Sequence, residues 1–119
     1  VGWMANLYDL AYDMEKAIRE SNEYMELKAL FAEVKKDDIA NKMFENFRDV
    51  QLKLQEKQMS GAEISPEEVE QAQKMFQLVQ QNPTLSRLIA AEQRMSMLIA
   101  ELNKIITRPL EEIYGPIQQ

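Results

Sequence analysis

Residues 82–113 read NPTLSRLIAAEQRMSMLIAELNKIITRPLEEI, and their apolar spacing decides the fold. Leu85, Leu88, Ile89, Met95, Leu98, Ile99, Leu102, Ile105, Ile106, Leu110 and Ile113 recur at intervals of three and four, which match a helix and no strand. At about 100° per residue they cover roughly half the circumference, more than the single stripe of a surface helix. Such a rod needs neighbours on more than one side. Asn82 suits the N-cap and Pro83 the first helical position, where a missing N–H costs nothing. Running to Thr107, the helix is about 37 Å long at about 1.5 Å per residue. Pro109 is expected to end or kink it, with Leu110–Tyr114 as a bent last turn before Gly115 and Pro116 stop it.

Within this stretch Leu88, Met95, Ile99, Leu102 and Ile106 are the candidates for core or interface, two roles that share one periodicity. Glu92, Ser96 and Asn103 interrupt the arc. Three readings of Glu92 stand open: a buried acid with a functional pKa, an arc-edge residue paired with an Arg, or a polar group that fixes helix register.

Upstream the same grammar repeats. Leu7, Leu10, Ala11, Met14, Ala17 and Ile18 predict a first helix from about Leu7 to Glu20, with Asn6 as cap. Ser21 and Asn22 break it, and Tyr24, Met25, Leu27, Leu30, Phe31 and Val34 carry a second helix to Lys36. Asp37 and Asp38 open a third, long helix that reaches Ser60 and closes on Gly61. Ser65, Pro66 and Glu68 form a capping-box signature for a fourth helix, which ends near Gln81. The fold class is all-α, a multi-helix bundle of about five helices, two of them long, expected to be homodimeric. Residues 4–115 read as one helical domain, residues 1–3 as a cloning remnant or alternative start, and residues 116–119 as a tail.

Composition narrows function. The chain has 119 residues, 45% of them hydrophobic and 29% charged, which is a globular balance. With 20 acidic against 14 basic residues and a formal charge of −6, a strong phosphate-binding surface is disfavoured and protein partners are favoured. No Cys and no His occur, which removes cysteine-held metal clusters together with the commonest general base and transition-metal ligand. The three glycines, Gly2, Gly61 and Gly115, make no phosphate loop. No run of about 18 apolar residues is present to span a membrane. The expectation is therefore a non-enzyme without cofactor or metal; an enzymatic reading would have to use acid chemistry at Glu92 or Glu101.

Two surfaces remain as partner candidates. Met59 and Met97 lie toward polar sides and suit an adaptable protein contact. Arg48, Lys53 and Lys57 on the third helix offer a local basic strip, the basis of an alternative reading as an RNA-binding accessory protein. Interspersed Glu45, Asp49 and Glu56 favour a solvated face instead.

Met43–Gly61, MFENFRDVQLKLQEKQMSG, and Glu92–Ile106, EQRMSMLIAELNKII, resemble the YlbF/YmcA family of small bacterial helical proteins, in particular its YheA-type branch. The likeness extends from about Asn6 to Gly115. It implies an all-helical, cytoplasmic, self-associating protein with no enzymatic activity established for the branch. Other members act in a multiprotein complex that adjusts messenger-RNA processing by a membrane-anchored ribonuclease, affecting competence and biofilm formation, and those relatives hold iron–sulfur clusters through cysteines that this chain lacks. The reading is of a non-catalytic adaptor or regulator working through protein–protein contacts.

Overall fold

A computed structural model describes residues 6–116. The expectations for residues 1–3 and for the last three tail residues lie outside the described residues. Five helices follow in order: α1 (Leu7–Arg19), α2 (Asn22–Lys36), α3 (Asp38–Ser60), α4 (Pro66–Gln81) and α5 (Pro83–Tyr114). No strand occurs among the described residues, and the all-α class is as expected.

Local chemistry sets each boundary. The Asn6 Oδ1 accepts from the Tyr8 N–H at 2.8 Å to start α1, and the Ser21 hydroxyl oxygen accepts from the Tyr24 N–H at 3.2 Å to start α2. Asp37 caps α3 by accepting from the Ile39 and Ala40 N–H groups at 3.1 and 3.2 Å. Gly61 closes that helix at φ 75°, a left-handed conformation a side chain would strain, and lets the Ala62 N–H donate to the Lys57 carbonyl at 3.0 Å. At α4 the full capping box forms: Ser65 Oγ accepts from the Glu68 N–H, and Glu68 accepts from the Ser65 N–H. Asn82 serves twice, ending α4 and capping α5 through its Oδ1, which accepts from the Leu85 N–H at 3.1 Å.

Pro109 neither ends nor interrupts α5, which keeps helical geometry for 32 residues, about 48 Å at about 1.5 Å per residue. Of the two outcomes expected at Pro109, an end or a kink, the end does not occur. Proline removes one donor, the partner of the Ile105 carbonyl, and both residues are exposed in the single chain. The Thr107 hydroxyl adds a bond to the Asn103 carbonyl at 2.9 Å on the preceding turn.

The chain divides into two compact units: Ala29–Ala90, called the core unit below, and residues 6–28 with 91–116, called the terminal unit. In the core unit Leu30, Val34, Ala40, Phe44, Phe47, Val79, Leu85 and Leu88 are buried, drawn from four helices. Phe31 meets Phe44 edge-on at 5.9 Å between ring centroids, and Phe47 stacks on Phe76 at 6.0 Å. Full burial of Leu85, Leu88, Val34 and Val79 contributes about 1.5 to 3 kcal/mol each. In the terminal unit, among the described residues, only Ala91 is buried.

Candidate interaction surface

The terminal unit presents what the sequence pattern left open: apolar helix faces that are covered only in part. On α1 no residue is buried; Met14 and Ile18 are half-buried, Leu10 is exposed, and Leu7 is 81% exposed. On α5 beyond Ala91, the half-buried Met95, Leu98 and Leu102 run down one line, flanked by exposed Ile99, Ile105, Ile106, Leu110 and Ile113, the last 72% exposed. Arg94 Nη2 donates to Glu26 Oε1 at 2.5 Å, a half-exposed ion pair worth up to about 1 kcal/mol.

The five core-or-interface candidates therefore separate. Leu88 is fully buried in the core unit, Met95 and Leu102 are half-buried, and Ile99 and Ile106 are exposed. No polar or charged residue is buried among the described residues, and Glu92 is half-buried with polar interactions of its own. That geometry removes the reading of Glu92 as a buried acid. Glu101, the other acid named for chemistry, is exposed.

The three α3 cations do not form one strip. Arg48 and Lys57 are nine residues apart, roughly 180° around the helix, and so project from opposite sides. Each is also engaged. The Arg48 guanidinium lies over the Phe44 ring at 5.6 Å from its centroid, worth about 0.5 to 1 kcal/mol. Lys57 Nζ donates to both Glu68 carboxylate oxygens at 2.6 and 2.5 Å. Lys57 together with the Ser65 backbone N–H holds the Glu68 carboxyl below its usual pKa. Lys53 is left exposed on the side nearer Lys57.

Arg48 also borders a shallow groove between α2 and α3, lined by Phe31, Lys35, Phe44 and Leu52, with the Lys35 ammonium 5.2 Å from the Phe31 centroid. Sequence reading missed this groove because its walls come from two helices whose relative placement no local pattern encodes. It also passed over Leu7 and Leu10 as interface residues; their signal was the same three-and-four spacing that suggested core. Met59, 81% exposed at the end of α3, and Met97, exposed on α5, belong to different units.

Among the described residues no group of three or more His, Cys, Asp or Glu side chains is placed to hold a metal ion, and no helix is long and apolar enough to cross a membrane.

Comparison with known proteins bears on this arrangement. Residues 7–111 match the family described as control of competence regulator ComK, YlbF/YmcA. The UPF0342 protein YheA of Bacillus subtilis (strain 168) is 62% identical over 113 residues, 95% of this chain and 97% of the relative. A UPF0342 protein of Bacillus licheniformis is 64% identical over 110 residues, 92% of this chain and 94% of the relative. A solved structure of a protein of unknown function (DUF964) from Bacillus stearothermophilus superposes with a TM-score of 0.83 at 49% identity, covering 94% of this chain and 98% of that one. With family match, sequence and fold in agreement over nearly the whole length, the chain belongs to the YlbF/YmcA family.

Proposed function

We propose that this chain is a non-catalytic, cytoplasmic adaptor or regulator that associates with itself and acts through protein–protein contacts. One observation carries the reading: the terminal unit leaves large aliphatic side chains of two helices exposed, Leu7 and Leu10 on α1 and Ile99, Ile105, Ile106, Leu110 and Ile113 on α5. Rows of exposed aliphatic side chains on this scale mark contact surfaces, since each side chain gains about 1.5 to 3 kcal/mol when covered. The family description, control of the competence regulator ComK, supports a regulatory setting for such contacts. Any link to messenger-RNA processing is extended here from the family likeness alone, and it runs through proteins: the α3 cations are divided between opposite sides of the helix and two of them are engaged within the chain. Sedimentation equilibrium at micromolar concentration tests the reading. A mass of two chains or more is expected, and a monomer throughout that range would contradict it.

A further inference from the structure

We infer that the contact between copies is made by the terminal unit, with α1 and the distal half of α5 of each chain packing on the same two helices of a second copy. This rests on the self-associating reading above and adds to it the surface and the occupant. The amount of surface fits. Leu7, Leu10, Ile105, Ile106, Leu110 and Ile113 are each half or more exposed. At roughly 200 Å² for a fully exposed large apolar residue, they offer on the order of 700 Å² per copy, close to the roughly 800 Å² that each partner gives to a standard dimer interface.

The spacing fits a copy of the same helix. From Met95 the intervals run four, three, four, then seven, through Ile99, Leu102, Ile106 and Ile113, with Ile at one seam position and Met or Leu at the other. That alternation is the pattern with which two like helices interlock side chains. Its one break is Pro109, which occupies the remaining seam position without ending the helix.

The chemistry of the arc fits as well. Between Met95 and Ile113 the five charged residues, Glu101, Lys104, Arg108, Glu111 and Glu112, lie outside the apolar arc, Glu112 at its edge beside Ile105. A surface without charge selects no oppositely charged partner. Its complement is another apolar arc, and a two-fold contact brings the same patch to both sides. The core unit exposes large apolar residues too, Ile39, Leu52 and Met59 on α3 and Leu78 on α4, but they are spaced widely along their helices among Gln and charged neighbours instead of following one another at intervals of three and four.

The full chain provides the test in two arms. In sedimentation, Leu10→Glu and Ile106→Glu are each expected to weaken self-association on the order of a hundredfold or more, because every two-fold contact receives the charge twice. Leu52→Glu and Leu78→Glu are expected to stay within about twofold of the unsubstituted chain. Circular dichroism verifies that helix content is kept. The second arm needs no disruptive substitution. The chain has no Cys, so single cysteines at Leu10, Ile106 or Ile113 are clean reporters. A short bifunctional maleimide is expected to join two chains through these positions and not through cysteines at Leu52 or Leu78. A dimer that survives Leu10→Glu and Ile106→Glu, or that cross-links through Leu52 or Leu78 instead, overturns the inference and leaves self-association standing. An unsubstituted chain that stays monomeric overturns both. Should the Glu variants lose helix content, the cross-linking pattern decides alone.

Discussion

The two compact units are built from the same kind of amphipathic helix, and they differ in what those helices face. Leu88 and Ile106 lie on one helix, and the first is fully buried while the second is 57% exposed. In the core unit four helices turn their apolar sides toward one interior; in the terminal unit the apolar sides of α1 and distal α5 remain accessible. The lesson is that a three-and-four repeat reports only that a face will be covered. Whether the cover comes from the same chain or another one is decided by packing. One helix serves both, since α5 supplies Leu85 and Leu88 to the core unit and its remaining length to the terminal unit.

The largest effect that would break this contrast is at Leu88. Leu88→Ala is expected to destabilise the chain by about 2 to 5 kcal/mol in urea unfolding, as a fully buried site that relaxes only in part. Ile106→Ala, measured in solution dilute enough to hold single copies, is expected to cost no more than about 1 kcal/mol, and to cost more as concentration rises. Equal losses at the two positions in dilute solution would erase the distinction between the units.

Gly61→Ala comes next. No atom lies within 4 Å of the position a Cβ would take, so the cost is backbone strain alone at φ 75°, about 1 kcal/mol by thermal unfolding. A similar loss, about 1 kcal/mol, is expected for Ser65→Ala, which removes the α4 cap. Both act within the core unit and are expected to leave the association constant unchanged once folding is complete; a change there would mean the two units are not separable in function.

The smallest effect concerns Glu68. Its carboxyl is held below the usual value, first by the hydrogen bond from Lys57 and next by the Ser65 N–H. A group whose folded-state pKa is depressed stabilises the fold above its unfolded pKa, near 4.3 for a free glutamate, and that contribution fades as pH falls through the lower folded value. The stability difference between the unsubstituted chain and Glu68→Gln is therefore expected to be constant near neutrality and to shrink on acidification below about pH 4.3. A difference that grows on acidification would contradict the pairing of Glu68 with Lys57.

What was legible in the sequence was what is local. Asn6, Asp37, Gly61, Ser65 and Asn82 all stand at helix ends where their chemistry puts them, because caps depend on neighbours within four residues. Pro109 marks the limit of such local rules: the spacing left an end or a kink open, and the helix runs past it to Tyr114. The basic strip dissolved because one-letter spacing hides a half-turn between Arg48 and Lys57, and because Glu68, eleven residues from Lys57, returns to it only once α3 and α4 form a hairpin. The division of α5 into buried and accessible parts was not legible, since Leu88 and Ile106 obey the same repeat.

Hydrogen exchange followed as protein concentration is raised across the association range tests the central claim most directly. Amides of α1 and of α5 from Ile99 to Tyr114 should exchange more slowly at high concentration, with those of α3 and α4 unchanged. Protection that instead appears on α3 and α4, or exchange in the terminal unit that ignores concentration, would contradict the assignment of that surface to a second copy.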